Sequence, residues 1–398
     1  MGTPTNAFAS ARLGSLELRN RVIKTATYEG MCPGGMPSDA LVEHHRALAA
    51  GGVGLTTVAY CAVSPDGCTF AEQMVMRHET VSPLRRVTDA VHGAGGAASL
   101  QLGHCGWFTK NRELSTWLPR GPSPIVNQYG ISAGKPFGLA MRARDLERVV
   151  EDFGRAAGLA REAGFDAVEL HLGHGYLLSQ FLSPATNRRT DAWGGSLENR
   201  ARLSIAVLRR VREVLGRGTP ILCKTNLRDG FRGGLELADS VSLARMLEAE
   251  GADALVLSGG FTSRSPFYLF RGRRPLVEMI AAEKSRLQKL ALSYFGKSVI
   301  REYPWEEMFF LREAREVRAA VRMPLALLGG IVSRANVERA MDEGFDFVAM
   351  GRALIADPDL VRRMQEDPAA RSRCTHCNVC VAEMDLGGVR CVLDGPRA

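Results

Sequence analysis

The stretch that decides the fold reads Asp166-Ala-Val-Glu-Leu-His-Leu-Gly-His-Gly-Tyr176. Its apolar run over residues 167–170 predicts a short buried strand. His171, His174 and Tyr176 follow within six residues, just past the carboxyl end of that strand. Because parallel α/β barrels place their active sites at the carboxyl ends of their strands, this pattern favours a barrel with a polar site at one end.

Strand-like and helix-like segments alternate along the chain, with glycine at most steps from helix to strand. Strands are predicted over residues 21–27, 53–58, 97–102, 166–171, 221–225, 254–257, 325–328 and 347–350. Helices are predicted over residues 38–50, 83–92, 145–163, 196–215, 237–250, 305–321 and 333–342. This count predicts the α/β class and a (β/α)8 TIM barrel. A doubly wound sheet usually has fewer strands and a glycine-rich fingerprint after the first strand, where this sequence has none.

Two long segments interrupt the alternation and a distinct tail ends it. Residues 102–144 follow the third predicted strand, and residues 259–304 follow the sixth. The second of these segments contains a helical patch of its own. Long loops at the carboxyl face of a barrel select substrates. We expect residues 1–367 to form the barrel and residues 368–398 to form a cysteine-containing tail appended to it.

The composition narrows the class of partner. Of the 398 residues, 45% are hydrophobic, so the chain can bury one large core. The sequence has no apolar run of about 18 residues, and residues 1–10 lack a signal-peptide pattern, which indicates a cytoplasmic protein without a membrane span. The net charge of +8 comes from scattered arginines, which favours a solvated surface over a nucleic-acid interface. We expect a small-molecule partner, and the oligomeric state stays open.

Two imidazoles and a phenol after one strand suit the binding of an electron-rich oxygen. The imidazoles of His171 and His174 can donate hydrogen bonds to a carbonyl or phenolate oxygen, and the phenol of Tyr176 can deliver a proton. The alternative is that both histidines are structural and cap loop carbonyls.

The surrounding motifs resemble those of the old yellow enzyme family of FMN-dependent ene reductases. The match comprises His171-x-x-His-Gly-Tyr176, Gln180-Phe-Leu182, Asn187-Arg-Arg-Thr-Asp191 and Gly194-Gly-Ser-Leu-Glu-Asn-Arg200. The resemblance is to a single-barrel NADH:flavin oxidoreductase related to the amino-terminal part of 2,4-dienoyl-CoA reductase. It implies a TIM barrel with non-covalent FMN that is reduced by NADH or NADPH.

The resemblance also implies which residues bind the flavin. Gln101 matches a glutamine that contacts the pyrimidine edge of the ring, and Lys224 stands where the family has a cation beside N1 and O2. Without the family, Gln101 would tie down a strand end and Lys224 would pair with Glu169. The phosphate is expected at the glycine-containing turns after the seventh and eighth strands, through Gly329, Gly330, Gly351 and Arg352.

The end of the first strand departs from the family pattern. Ala26, Thr27 and Tyr28 occupy the positions where the family has a small residue against the flavin. Backbone contacts from Ala26 and Thr27 would persist. Tyr28 either points away or crowds the substrate face, so it is a candidate substrate-binding residue.

The resemblance implies hydride transfer from NAD(P)H through flavin N5 to the activated C=C bond of an α,β-unsaturated carbonyl compound. His171 and His174 would bind the carbonyl oxygen, and Tyr176 would protonate the α-carbon. Two alternatives stay open. One is an amine or ether dehydrogenase or demethylase of the same superfamily, and the other is a flavin-free barrel in which Lys224 forms a Schiff base.

Four of the nine cysteines cluster in the tail, at Cys374, Cys377, Cys380 and Cys391. This clustering is typical of a metal site, either zinc or the [4Fe–4S] cluster that larger relatives carry after the same barrel. The Cys377-x2-Cys380 spacing is one residue shorter than in dienoyl-CoA reductases, and no further electron-handling domain follows before Ala398. We therefore expect no metal, with the cysteines packed as small hydrophobic side chains.

Overall fold

Eight parallel strands form a closed barrel in the computed structural model, which describes residues 6–283 and 285–395. The strands are β1 (Val22–Lys24), β2 (Leu55–Ala62), β3 (Ala97–Gly103), β4 (Ala167–His171), β5 (Ile221–Asn226), β6 (Ala254–Ser258), β7 (Leu325–Leu328) and β8 (Phe347–Met350). The barrel closes where β8 pairs with β1, with Met350 opposite Lys24. The predicted (β/α)8 barrel is confirmed, and each predicted strand has its counterpart.

Helices surround the barrel, and further helices lie within the loops and the tail. They are α1 (Asp39–Ala50), α2 (His78–Gly93), α3 (Ala143–Glu162), α4 (Leu177–Leu182), α5 (Leu197–Leu215), α6 (Leu237–Ala249), α7 (Leu276–Ala282), α8 (Arg286–Val299), α9 (Leu311–Ala320), α10 (Arg334–Asp342), α11 (Arg352–Ala356), α12 (Leu360–Glu366) and α13 (Cys380–Glu383). Ser38, Ser196 and Ser333 cap α1, α5 and α10 through their side chains. Within residues 6–283 and 285–395, no helix is both long and apolar enough to cross a membrane.

Two helix starts differ from prediction. The helix predicted from residue 305 begins at Leu311, because the preceding backbone follows the loop after β7. The N–H of Met308 donates to the carbonyl of Gly330, and Met308 has a left-handed φ of 54°. The helix predicted from residue 83 begins at His78, where the Thr80 hydroxyl accepts from the N–H of Arg77. Pro83 thus lies inside that helix rather than at its start.

The long loops carry structure of their own. The segment after β3 contains three short strands, Arg120–Gly121, Ile125–Val126 and Phe137–Ala140, which form a small sheet. The segment after β6 contains α7 and α8, where the sequence predicts one helical patch. Both loops emerge from the carboxyl ends of their strands, so they stand over the same end of the barrel.

The tail packs against that end as well. Arg371 forms a β-bridge with Ser333 before α10, and Arg373 pairs with Asp357. Further along, the N–H of Val389 donates to the carbonyl of Glu29 after β1. The tail therefore runs from the loop after β7 across to the loop after β1.

A buried polar cluster lies between the barrel wall and α1. The ammonium of Lys24 and Nε2 of His45 each lie 3.5 Å from the same carboxylate oxygen of Glu29, and all three side chains are at most 2% exposed. His45 Nδ1 also lies 2.8 Å from the hydroxyl of Thr56 on β2. Burial lowers the pKa of Lys24 and of His45 and raises the pKa of Glu29. Because these pKa values differ between the folded and the unfolded chain, the protonation of Lys24, His45 and Glu29 contributes to the pH dependence of stability.

Candidate active site

Three polar rings meet at the carboxyl end of β4. The ring centroid of His171, the last residue of β4, lies 4.9 Å from that of His174 and 4.8 Å from that of Tyr176. The turn between them is tight, since His174 has a φ of 61° and Gly175 a φ of 79°. A Cβ on Gly175 would lie 2.4 Å from the ring of Phe261, so only glycine fits there. All three rings line one large cavity.

Burial keeps both imidazoles neutral. Burial, with His174 and Lys224 nearby, lowers the pKa of His171 well below its ordinary value. Burial, with Lys224 nearby, lowers the pKa of His174 to about 3. Burial also raises the pKa of Tyr176, so its phenol keeps the proton at neutral pH. Each neutral imidazole therefore carries one N–H donor and the phenol one O–H donor, all uncharged.

The two histidines differ in how far the protein already uses their nitrogens. His174 Nε2 lies 2.7 Å from the hydroxyl of Ser258 at the end of β6, and its backbone N–H donates to Asn226. In contrast, Nδ1 of His171 is buried without a hydrogen-bond partner among the described residues. His174 is thus oriented by Ser258, whereas His171 has unused hydrogen-bonding capacity.

One carboxylate holds the two predicted flavin-edge residues. An oxygen of Glu169 accepts from Gln101 at 2.7 Å and from the ammonium of Lys224 at 2.9 Å. The three side chains lie on neighbouring strands inside the barrel and are at most 3% exposed. The ion pair between Lys224 and Glu169, considered as an alternative to the flavin role, is therefore present. This ion pair does not remove the two predicted flavin-binding residues from a cavity. Gln101 lines a large cavity and Lys224 lines a smaller one.

The larger cavity has a volume of about 620 Å³ and is mostly apolar. Tyr28 lines it and packs edge-on against Phe70, with ring centroids 5.2 Å apart, so Tyr28 narrows this cavity rather than pointing away. Helix α8 contributes one wall. The tail contributes another, through residues that include Cys380, Val381, Ala382, Met384 and Val389. The expectation of a tail merely appended to the barrel thus omits its place in the cavity wall.

A smaller cavity of about 70 Å³ continues beside the strand ends. It brings together nearly all of the residues predicted to hold the flavin, namely Ala26, Thr27, Lys224, Gly329, Gly330, Gly351 and Arg352. Ala26, Thr27, His174 and Arg352 line both cavities. The two cavities therefore adjoin at the carboxyl ends of the strands.

These residues fit a flavin with a phosphate. The backbone N–H groups of Gly330 and Gly351 make no hydrogen bond within the described part of the chain. Arg352 donates to the carbonyls of Phe270 and Arg271 and to Asn378, yet no carboxylate of the described residues pairs with it. Buried hydroxyls of Thr25 and Thr27 also lack partners there. Free donors around an unpaired cation are what a phosphate and a polar chain require.

Sequence reasoning missed several residues of the site. Tyr60 on β2 packs edge-on against Tyr176 at 5.1 Å, and the Thr262 hydroxyl donates to the carbonyl of His174 at 2.8 Å. Ser258 and Asn226 orient His174 from two neighbouring strand ends. Polar residues at the ends of the fifth and sixth predicted strands were a usable signal, whereas Thr262 lies in a long loop and gave none.

A family model supplies the identification. The model of the NADH:flavin oxidoreductase / NADH oxidase family matches residues 6–260. The chain belongs to this family. The predicted membership is confirmed, and the protein is an NAD(P)H-dependent flavin oxidoreductase. The flavin-free Schiff-base barrel considered above is thereby wrong, which agrees with the pairing of Lys224 to Glu169.

This flavin oxidoreductase is similar to two curated relatives and to one solved structure, as follows. The 4,4'-dithiodibutanoate disulfide reductase of Rhodococcus erythropolis is 44% identical over 387 residues, which cover 97% of this chain and 94% of that protein. The NADH oxidase of Thermoanaerobacter brockii is 31% identical over 379 residues, or 94% of this chain, yet the chain spans only 53% of that protein. The old yellow enzyme homologue from Zymomonas mobilis has a TM-score of 0.72 at 23% identity, covering 94% and 96% of the two chains.

Proposed function

We propose that the flavin oxidoreductase reduces the activated C=C bond of an α,β-unsaturated carbonyl compound with electrons from NADH or NADPH. The observation that carries this proposal is that His171, whose Nδ1 has no hydrogen-bond partner among the described residues, lines one apolar cavity together with His174 and Tyr176. Three neutral donors in such a cavity suit an oxygen that gains negative charge during the reaction. An absorbance spectrum and a turnover screen of activated alkenes with both nicotinamides test the proposal.

Each residue then has a defined task. When bound, FMN would supply the hydride chemistry that links the nicotinamide to the alkene. His171 and His174 donate to the carbonyl oxygen and stabilise the enolate that forms there. Tyr176 delivers a proton to the α-carbon, since burial keeps its phenol protonated. The apolar wall of the cavity excludes water, which strengthens these hydrogen bonds.

We expect Tyr176→Phe to spare flavin reduction by the nicotinamide and to slow reoxidation by the alkene about 10²-fold, because only reoxidation needs a proton donor. Anaerobic stopped-flow measurements of the two half-reactions check this. Tyr60→Phe is a matched control, because its hydroxyl bonds Thr69 and the carbonyl of Gly67. Equal slowing of both half-reactions in Tyr176→Phe would assign Tyr176 a positioning role instead.

Reduction of an organic disulfide is the second candidate, favoured by the 44% identical relative from Rhodococcus erythropolis. Hydride would add to one sulfur as the S–S bond breaks, and the other sulfur would leave as a thiolate. The Tyr176 phenol could protonate that thiolate, giving two thiols for one hydride and one proton. Parallel assays with 2-cyclohexenone and 4,4'-dithiodibutanoate separate the candidates. Efficient turnover of only the disulfide would replace the first proposal.

The apolar packing expected of the tail cysteines stays a prediction, and their partial exposure supports the alternative of a metal site. Cys374, Cys377, Cys380 and Cys391 are each only partly buried, unlike Cys61, Cys68, Cys105 and Cys223, which are fully buried. Within residues 6–283 and 285–395, the only potential ligand atoms grouped in threes within 4.8 Å are those of Glu29, His44 and His45. The described tail sulfurs form no such group, so we do not propose a zinc ion. A cluster of several iron atoms tolerates wider spacing, and [4Fe–4S] is our preferred proposal.

We expect about four irons and four acid-labile sulfides per chain after anaerobic purification, as a [4Fe–4S] cluster contains. Iron, sulfide and zinc determinations on the same sample check this. The Cys380→Ser variant should lose the iron, whereas Cys105→Ser, at a buried thiol beside the other loops, should retain it. A metal-free wild-type protein would restore the view that these cysteines are packing residues.

A further inference from the structure

Two aromatic side chains beside the smaller cavity have nitrogens without partners. The ring of His376, from the tail, stacks on the indole of Trp305 with ring centroids 3.7 Å apart and planes inclined by 25°. Nε2 of His376 and Nε1 of Trp305 are both buried and have no hydrogen-bond partner among the described residues. A buried indole N–H is costly to leave unpaired, so Trp305 points to a missing acceptor, and His376 can donate to the same acceptor when Nε2 carries its proton.

The backbone at His376 supports a dedicated role for its side chain. His376 has a φ of 59°, in the left-handed region where glycine is the unstrained residue. Its carbonyl accepts from the N–H of Arg273, which fixes this conformation against the loop after β6. A strained residue held in place by its surroundings marks a position where the side chain matters.

The surroundings of the pair are cationic. Trp305 and His376 line the smaller cavity together with Gly330, Gly351 and Arg352, which pairs with no carboxylate of the described residues. The guanidinium groups of Arg352 and Arg371 lie near His376, and so does the carboxylate of Glu307. Glu307 is itself engaged by Arg371 and by the amide of Asn336. Donors thus outnumber acceptors around this cavity, so an anion would complete it.

We propose that Trp305 Nε1 and His376 Nε2 donate hydrogen bonds to the phosphate of FMN, so that the tail helps to select FMN over flavins without a phosphate. The inference rests on the flavin cofactor of the family. It adds two residues to the glycines and arginine that the sequence predicts, and one of the two comes from outside the barrel. A neutral imidazole with its proton on Nε2 serves this purpose, so no titration is needed.

The test compares the affinity of the flavin-depleted protein for FMN and for riboflavin by fluorescence quenching. Trp305→Phe keeps the aromatic stack and removes one donor, and His376→Gly removes the other while relieving the backbone. Each should weaken FMN binding about 10-fold and leave riboflavin binding unchanged, as expected for one hydrogen bond to a charged group. Trp117→Phe is the matched control, because Trp117 is 83% exposed.

The outcomes are distinct. Loss of affinity for both flavins alike would assign the stacked pair to the flavin ring and overturn the proposal, as would unchanged FMN binding in both variants. A wild-type protein that binds neither flavin would refute the cofactor itself. Thermal unfolding without flavin shows whether each variant is folded, and the Phe variant preserves the ring packing if His376→Gly proves unstable.

Discussion

Replacing His171 and His174 together by alanine is expected to leave FMN bound and to lower alkene reduction by a factor of about 10² or more. The change removes the two imidazoles that line the larger cavity, while the predicted flavin contacts lie on other strands. Affinity for phenolic ligands should fall in parallel, because a phenolate oxygen uses the same donors. Titration of the protein with p-hydroxybenzaldehyde, followed by its long-wavelength absorbance, measures the affinity for phenols. Single-turnover reoxidation of the reduced flavin by an alkene measures the rate of alkene reduction.

The single variants refine this expectation. His171→Ala removes a ring whose Nδ1 has no hydrogen-bond partner in the described part of the chain, so its main effect should appear in ligand binding and catalysis. His174→Ala also releases Ser258 and should perturb the protein further. His78→Ala serves as the control, since His78 is exposed at the start of α2. Normal phenol binding and normal turnover in the double variant would disprove the assignment of these histidines.

Acid should unfold the flavin-free protein well above the pH at which carboxylates titrate. Burial lowers the pKa of His44 and His174 to about 3, of His104 to about 4, and of His45 and His171 well below the ordinary value. In the unfolded chain each titrates near about 6.5. Their folded-state pKa values are depressed, so their stabilising contribution is complete above about pH 6.5 and is lost as the pH falls.

The expected size of this effect is large. The raised pKa of Glu29 acts in the opposite direction, whereas the lowered pKa of Lys24 acts in the same direction as the histidines. Each histidine that takes up a proton on unfolding contributes about 1.4 kcal/mol for each pH unit once the pH is below about 6.5, so the five contributions add up as the pH falls. Urea unfolding at pH 7.0, 6.0 and 5.5 measures the slope. His104→Gln should reduce it by about one proton, and a flat profile across this range would contradict the burial of these histidines as neutral rings.

The barrel and the three polar rings were predictable because both depend on local sequence. Short apolar runs separated by glycine specify parallel strands, and His171, His174 and Tyr176 follow one strand within six residues. The shared carboxylate of Glu169 was in part predictable, since Lys224 was expected to pair with it in the absence of a flavin. Its second partner, Gln101, is brought in by the register of β3 and β4.

The contacts of the tail could not be predicted, because they join residues far apart in the chain. His376 meets Trp305, and Asn378 meets Arg271, Arg273 and Arg352, through loop conformations that carry no periodic pattern. The late start of α9 has the same origin, since a hydrogen bond from Met308 to Gly330 competes with the helix. Tertiary contacts of this kind override local propensity.

The hydrogen bonds of Arg352 join the tail and the flavin site into one thermodynamic cycle. Arg352 donates to Asn378 of the tail and lines the cavity expected to hold the phosphate. Docking of the tail fixes this guanidinium, and a bound phosphate fixes it as well. By reciprocity, the factor by which a docked tail tightens flavin binding equals the factor by which flavin favours tail docking. Loss of the cofactor would therefore loosen the tail, opening one wall of the substrate cavity and exposing this part of the chain to proteases.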